Sequence, residues 1–399
     1  MKEKQLYLGL VLSTALILPS CLCTSSFVYE SSLTNVSCLE AIPSDVYFLY
    51  YDPLKANRSS IPELSSWARL NNRTLSVVLN EGFHLINRST HTFLDVRYNE
   101  TLYQDMLRTF SSTIKDLLPY GVSSYVLGDD YPYGLTRGGI TVEKILPYNE
   151  TYHSETGGWI RMDPDREDRC LIARWFYSRS VEALNRLASD LHASYPNISL
   201  GLNLEAYRPE NMDSDDVSRW CQLDLEEIDL EPYEFVVAYQ YTKIPRDRLW
   251  KVKYGPPSLS IIDAGGLLRL SRAFERIAPL AGRVKIFFML AAHSEEATSP
   301  SFVMTPMQMV LESILTMEQG FDGVGWFAID TVGDTCISIA DPHSQAWERP
   351  ERLATLQALC VDVSNRWDPR RRMQALEALT SALGRTTTSL QASLNASRE

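Results

Sequence analysis

The stretch LGLNLEAY, residues 200–207, decides the fold of this 399-residue chain. It is a short apolar run that ends with an acid near its carboxyl end. Six similar runs recur: VYFLYYD at 46–52, LSVVLNE at 75–81, YVLGDDY at 125–131, FVVAYQY at 235–241, IFFMLAAH at 286–293 and GVGWFAID at 323–330. Near-continuous apolar runs of this length are typical of parallel strands that are covered on both faces. The sequence therefore predicts seven such strands, most of which end in a polar residue.

The segments between these runs carry apolar residues at helical spacing, at 102–118, 167–195, 264–280 and 305–319. The last of them opens with a Thr-Pro pair, which suits an N-cap followed by proline at the first helical position. Alternation of strand and helix predicts an α/β protein built as one (β/α)8 (TIM) barrel, irregular or with one weak strand.

One strand of the eight is missing from this count. It is expected near 258–262, near 336–340 or between residues 81 and 102. A doubly wound open sheet is the structural alternative, although no Gly-rich dinucleotide turn follows any run.

The two ends of the chain differ in composition from the predicted barrel. Lys2 and Lys4 precede an apolar stretch, so residues 1–23 are predicted to be a signal peptide. A lipobox-like sequence ending at Cys21 and an uncleaved signal anchor are the alternatives. The predicted organisation continues with a lead-in at 24–44, the barrel at 45–360 with a long loop insertion at 131–164, and a C-terminal helix with a Ser/Thr-rich tail at 361–399.

Charge and composition limit the partners of the chain. Apolar residues make up 45% of the sequence and charged residues 22%, as in an ordinary globular protein. The net charge of −12 and a pI near 5.1 argue against nucleic-acid binding, which normally needs a basic surface. Contact with a membrane is expected only through an N-terminal anchor.

Asparagines in the Asn-x-Ser/Thr pattern are unusually frequent. If Ser and Thr make up roughly one residue in six, chance predicts only about two such sites. The sequence has eight, at Asn35, Asn57, Asn72, Asn87, Asn99, Asn149, Asn197 and Asn395. This excess predicts a glycosylated protein that is secreted or lies in the lumen of the secretory pathway, with a eukaryotic route favoured over an archaeal cell surface.

The cysteines and histidines indicate no metal chemistry. Beyond residue 23 the sequence keeps five cysteines, Cys38, Cys170, Cys221, Cys336 and Cys360, which permit at most two internal disulfides of undetermined pairing. There is no Cys-x-x-Cys motif, and the six histidines show no ligand spacing. Neither a metal nor a cofactor is expected.

Side-chain alternation along each strand selects the candidate site residues. In the run at 200–207 the leucines suit the helix layer, which leaves Gly201, Asn203 and Glu205 facing the barrel interior. The same argument at 125–131 directs Asp130, rather than Asp129, into the mouth of the barrel.

The remaining runs add amides and aromatic residues to this inventory. Alternation at 323–330 directs Trp326 and Asp330 into the cavity, opposite Phe327. At 235–241 the smaller, more polar set contains Gln240, and Tyr239 lies opposite. The complete set of predicted binding residues is Asp129, Asn203, Tyr239, Gln240, His293, Trp326 and Asp330.

Acids, amides and aromatic rings suit a carbohydrate, whose hydrolysis needs two carboxyl groups in different environments. Through YVLGDDY, LGLNLEAY and GVGWFAID the chain resembles the (β/α)-barrel glycoside hydrolase superfamily over residues 46–330. In such enzymes acids at strand ends are catalytic, and a tryptophan on the final strand often forms the floor of a sugar subsite. The resemblance implies Asp130 and Glu205 as the catalytic pair.

The sequence departs from the commonest pattern of that superfamily. No adjacent Asn-Glu pair ends the fourth strand and no lone glutamate ends the seventh, where LAAHSEE at 290–296 is the nearest substitute. A specific family and a retaining or inverting outcome therefore stay open.

Two functions other than glycoside hydrolysis are alternatives for this sequence. Arg208, three residues after Glu205, is positioned to neutralise that carboxylate, which would suit a non-catalytic barrel that binds a glycan or a protein. A metal-dependent hydrolase is disfavoured because histidines are scarce.

Overall fold

The structure of the protein is a computed structural model. It describes residues 25–30, 36, 40, 42–51, 60–79, 92–131, 140–242, 244–245, 264–292, 302–327 and 349–364. The predicted signal segment and the Ser/Thr-rich tail lie outside these residues.

Eight parallel strands form a closed barrel, in which each strand pairs with its neighbours in sequence and the last pairs with the first. They are β1 (Ser25–Glu30), β2 (Val46–Tyr51), β3 (Thr74–Leu79), β4 (Ser124–Tyr131), β5 (Ser199–Glu205), β6 (Phe235–Tyr239), β7 (Lys285–Ala291) and β8 (Gly323–Phe327). A two-residue antiparallel pair, Ile244–Pro245 with Phe302–Val303, lies outside the barrel sheet. The (β/α)8 fold class predicted from the sequence is confirmed.

The eighth strand, which the apolar pattern of the sequence does not reveal, is β1. It lies within the segment expected to be a lead-in, and not at any of the three places proposed for the eighth strand. Its sequence, SSFVYE, lacks the continuous apolar run that marks the other strands. Asp45, directly before β2, stabilises this polar strand. Its carboxylate accepts a 2.9 Å hydrogen bond from the Ser26 backbone N–H and pairs with Arg73 at 2.8 Å.

The helices pack around the barrel. They are α1 (Ser60–Leu70), α2 (Phe93–Tyr98), α3 (Glu100–Leu117), α4 (Val142–Ile145), α5 (Asn149–Thr156), α6 (Arg166–Ser194), α7 (Ala264–Ile277), α8 (Pro306–Met317) and α9 (Arg349–Ser364). Thr305 caps α8 by accepting a hydrogen bond from the Gln308 N–H, as the Thr-Pro pair predicted. Most of α9 lies within the segment predicted as barrel, and the C-terminal helix predicted beyond residue 361 lies largely outside the described residues. In the described part of the chain no helix combines the length and apolarity needed to span a bilayer.

Phenylalanines fill the lower half of the barrel interior. Phe27, Phe48, Phe235 and Phe287 make edge-on or tilted ring contacts, with centroids 5.2 Å apart for Phe27–Phe48 and 5.7 Å for Phe235–Phe287. Glycines on β5 and β8 provide the space for these rings. A Cβ atom on Gly201 would lie 2.1 Å from the Phe235 ring, and one on Gly325 would lie 2.3 Å from the Phe27 carbonyl oxygen. We call these four rings the phenylalanine layer.

The connection from β5 to β6 is irregular. Residues 206–234 are all described and contain no α-helix, only two short 3-10 turns. A disulfide between Cys170 and Cys221 ties this connection to the start of α6. On its other side Arg276 of α7 donates to the carbonyl oxygens of Ala206 (3.0 Å) and Leu223 (2.6 Å). The chain that leaves the carboxyl end of β5 is therefore fixed by covalent and polar contacts instead of by a helix.

Candidate active site at the barrel mouth

Strand β5 delivers polar side chains to the upper barrel interior, as its alternation predicted. Leu202 and Leu204 belong to the outer apolar core between sheet and helices. Asn203 is fully buried on the opposite face, and its amide lies 3.5 Å from the Val237 carbonyl oxygen. Glu205 follows at the mouth, with 14% of its side chain exposed. The strand thus supplies a carboxylate that a molecule in the mouth can reach.

Arg208 forms an ion pair with Glu205, with its Nη2 atom 2.7 Å from Oε2. The spacing of the two residues in the sequence predicted this contact as a structural alternative to a catalytic role for Glu205. The guanidinium is 23% exposed and borders the mouth. The pair therefore gives the mouth a carboxylate with a cationic partner.

An aromatic wall, formed by Tyr239, Tyr241 and Phe327, lies beside Glu205. Tyr239 and Glu205 are paired residues across β5 and β6. The Tyr239 and Tyr241 rings lie 4.8 Å apart, and the Tyr241 and Phe327 rings stack at 5.5 Å. A half-buried carboxylate beside stacked aromatic rings offers both the hydrogen-bond acceptor and the apolar surface that a sugar ring requires.

The alternation predicted for β6 and β8 is the reverse of the one observed. Tyr239 and Phe327 pack with the residues inside the barrel, whereas Ala238 and Val324 belong to the outer core. Trp326 is fully buried against α8 and donates from Nε1 to the Ser313 hydroxyl at 3.2 Å. Its predicted place in the cavity is therefore wrong, and Phe327 provides the aromatic surface instead.

Gln240 is also placed differently from the prediction. It is 7% exposed and lies between Ala238 and Thr242; Thr242 contacts Gln308 and Glu312 of α8 at the outer side of the barrel. Its Oε1 atom has no hydrogen-bond partner among the described residues. The geometry gives no support to a direct binding role for Gln240.

The glycines in the strands are the sequence feature that indicates Phe327 and Tyr241 as large side chains inside the barrel. A small residue on an interior strand position makes room for a large one on a neighbouring strand. Gly323 and Gly325 occupy the same face of β8 as Phe327, so they place that face, and not the Trp326 face, inside the barrel.

The proposed acid Asp130 lies at the carboxyl end of β4, next to β5. Pairing between the two strands is regular up to Leu127–Leu202 and resumes at Tyr131–Leu204, so four residue steps on β4 oppose two on β5. This irregularity begins at Gly128, which has a φ of +74°. Strict alternation therefore does not distinguish Asp130 from Asp129 here. The side chains of both lie outside the described residues, and their roles stay predictions.

Two further candidates, His293 and Asp330, also lie outside the described residues. Asn72, Asn99 and Asn197 of the predicted glycosylation sites are exposed and Asn149 is half-buried, whereas Asn35, Asn57, Asn87 and Asn395 are not described. Within the described ranges, no group of three or more His, Cys, Asp or Glu side chains could hold a metal ion.

Comparison with known proteins identifies the fold but not a family. No family model matches the chain, and no curated protein sequence matches it. Solved structures do match. The β-galactosidase of the haloarchaeon Halorubrum lacusprofundi gives a TM-score of 0.58 at 11% identity, over 86% of this chain and 58% of that one. The β-galactosidase of Bacillus circulans gives 0.53 at 10%, over 88% and 57%.

A smaller enzyme matches along nearly its whole length. The endo-1,4-β-mannanase of Rhizomucor miehei gives a TM-score of 0.51 at 8% identity, over 88% of this chain and 96% of that one. This chain spans less than three-fifths of the β-galactosidases just named. The chain is a TIM barrel similar in fold to these solved enzymes, and that is the fold that the resemblance implied.

Proposed function

We propose that this chain is a glycoside hydrolase that binds its carbohydrate substrate at the carboxyl ends of the barrel strands. The observation that carries the proposal is Glu205, a half-buried carboxylate beside the aromatic wall. Stacked tyrosine and phenylalanine rings favour the apolar face of a sugar, while the Glu205 carboxylate suits its hydroxyl groups.

The catalytic pair proposed is Glu205 with Asp130, on neighbouring strands. Adjacent strands lie about 4.8 Å apart, a spacing that is compatible with the separation of about 5 to 10 Å between the two carboxyl groups of glycosidases. The ion pair with Arg208 suits Glu205 as nucleophile or base, because that role needs an ionised carboxylate. Asp130 is then the proton donor to the leaving oxygen.

Amide substitutions test this assignment. Glu205→Gln and Asp130→Asn are each expected to lower turnover about 10³-fold, because each removes a proton-transfer or nucleophilic group. The measurement is hydrolysis of a panel of aryl-glycosides and polysaccharides by the purified protein, with circular dichroism to verify the fold. Asp215→Asn, an exposed acid on the same connection, is the control and should keep full activity. Full activity in both site variants would refute the proposal.

A second candidate function is non-catalytic glycan binding by the same mouth. The aromatic wall favours it as well, because stacked rings bind the apolar face of a sugar whether or not a carboxylate reacts. Calorimetric binding of an oligosaccharide that the wild-type protein never cleaves, weakened by Phe327→Ala, would support binding over hydrolysis.

We also propose that the protein passes through a secretory pathway, with membrane contact limited to an N-terminal anchor. The Cys170–Cys221 disulfide supports this, because such bonds persist in oxidising compartments. Expression in a eukaryotic secretory host should give a product in the medium whose mass falls after enzymatic deglycosylation. Retention in the cytosol with reduced cysteines would contradict it.

A further inference from the structure

The loop between α5 and α6 carries an exposed tryptophan. Trp159 is 43% exposed, and it stacks face to face on His153 with ring centroids 3.9 Å apart and planes 11° from parallel. The His153 ring is held in turn, since its Nδ1 atom lies 3.1 Å from the Gly158 carbonyl oxygen. One face of the indole is therefore covered by a fixed partner, while much of the remaining surface is available to another group.

Asn149 lies next to this pair of rings. It is the first residue of α5, four residues before His153, and side chains at that spacing occupy one face of a helix about 5–6 Å apart. Asn149-Glu150-Thr151 is also one of the eight sequons. The chain thus places a potential carbohydrate attachment site beside an exposed aromatic ring.

A hydrogen bond fixes the orientation of the Asn149 amide. The Ile160 backbone N–H, directly after Trp159, donates to Oδ1 of Asn149 at 2.7 Å. Since a backbone N–H can only donate, the amide oxygen must face Ile160. The nitrogen Nδ2, to which an N-linked glycan is attached, then points away from that contact, and it makes no hydrogen bond to the described residues.

We propose that Asn149 carries an N-linked glycan whose first N-acetylglucosamine packs on the exposed face of Trp159. The sugar presents an apolar face to the indole, and the stack of sugar, Trp159 and His153 joins the start of α5 to the loop before α6. The site is a structural glycan clamp on the β4–β5 connection. The glycan clamp does not depend on hydrolysis at the barrel mouth.

Thr151→Val tests the clamp directly. It removes the sequon with an isosteric residue and leaves Asn149, with its bond to Ile160, in place. In protein from a eukaryotic secretory host, peptide mass spectrometry should find Asn149 glycosylated. Hydroxyl-radical oxidation of Trp159 should be several-fold faster in Thr151→Val than in wild type. Asn197→Gln, which removes a different exposed sequon, should leave Trp159 oxidation unchanged.

A reciprocal measurement uses the other partner. Trp159→Ala should make the Asn149 glycan several-fold more susceptible to endoglycosidase under native conditions, without altering release at Asn197. An unoccupied Asn149 would overturn the proposal, as would equal Trp159 oxidation with and without the sequon. An effect of Trp159→Ala on substrate KM alone would also overturn it and assign Trp159 to substrate binding.

Discussion

The lower and upper halves of the barrel interior are built on the same strands but from opposite kinds of residue. Below, the phenylalanine layer closes the interior, and glycines leave room for its rings. Above, Asn203 is buried beneath the mouth, where Glu205 and the aromatic wall present a carboxylate and partly exposed rings. Strand β5 crosses both halves with Gly201, Asn203 and Glu205, so five residues of one strand connect the phenylalanine layer to the mouth.

The difference between the two halves shows where the fold accommodates buried polar side chains. A buried amide or carboxylate loses hydration, and that loss must be offset by hydrogen bonds or charge partners. The lower half pairs the Ser76 and Ser124 hydroxyls with each other and is otherwise apolar, whereas the mouth provides the Val237 carbonyl oxygen and Arg208. Substitutions below should therefore change stability, and substitutions at the mouth should mainly change ligand binding and activity.

The largest effect is expected for Gly325→Val. Its Cβ atom would lie 2.3 Å from the Phe27 carbonyl oxygen, a backbone atom that cannot rotate away. The strain should cost more than about 5 kcal/mol, enough to abolish folding of a marginally stable domain. Circular dichroism and urea unfolding of the purified variant provide the measurement.

A matched substitution distinguishes strain from general sensitivity of the interior. Ser76 lies opposite Phe48 in the β2–β3 register, and its hydroxyl contacts that of Ser124 at 2.9 Å. Ser76→Ala creates no clash and should cost only about 1 kcal/mol. A folded Gly325→Val protein with near-normal stability would show that the phenylalanine layer can be rearranged.

The next largest effect separates two adjacent residues of β8. Trp326 is fully buried between sheet and α8, so Trp326→Ala should lower the free energy of unfolding by about 3 to 5 kcal/mol. Phe327 lies in the aromatic wall, so Phe327→Ala should weaken saccharide affinity about tenfold while costing less stability. Urea unfolding and calorimetric saccharide binding of both variants provide the comparison.

Ser313→Ala serves as the control for Trp326, because it removes only the hydroxyl that accepts the indole hydrogen bond. It should cost about 1 kcal/mol and leave saccharide binding unchanged. If Trp326→Ala reduced binding more than Phe327→Ala, the assignment of the two faces of β8 would be wrong.

The sequence predicted the barrel because seven of its strands are marked by continuous apolar runs. It did not reveal β1, whose polar Ser25 and Ser26 pair with the last strand and gain a further contact from the Asp45 carboxylate to the Ser26 amide. That contact joins residues nineteen positions apart and leaves no periodic signal in either segment. Closure of the sheet, and not the local pattern, selects this segment as the eighth strand.

The site was predictable where one strand alone determined the answer. In β5 the three leucines identify the outer face, and Asn203 and Glu205 follow. In β8 the orientation depends on Phe27 of a neighbouring strand, because that residue occupies the space beside Gly325. The ion pair between Glu205 and Arg208 was predicted from the three-residue spacing of the two side chains. The aromatic wall depends on how the ends of two strands, β6 and β8, come together.

The smallest of these effects concerns alkaline stability at the amino end of the barrel. Tyr47 of β2 is fully buried, and burial raises its pKa from 10.0 to about 12, with smaller opposing effects from the Ser44 amide and Arg73. Its hydroxyl donates to the Ile42 carbonyl oxygen at 2.5 Å and accepts from the Ser44 N–H at 3.1 Å. The neutral phenol is therefore the form that the folded state favours.

A pKa that folding raises gives stability that is complete below the unfolded value and is lost as the pH rises through the folded value. For Tyr47 the loss should run from pH 10 to about 12 and amount to about 2 to 3 kcal/mol. Tyr47→Phe should be less stable at pH 8 because its two backbone partners lose the hydroxyl, yet should show a flatter decline above pH 10. Urea unfolding of both proteins across this range makes the comparison. Parallel declines would mean that other groups govern the alkaline transition and that the lower barrel can admit a charged phenolate.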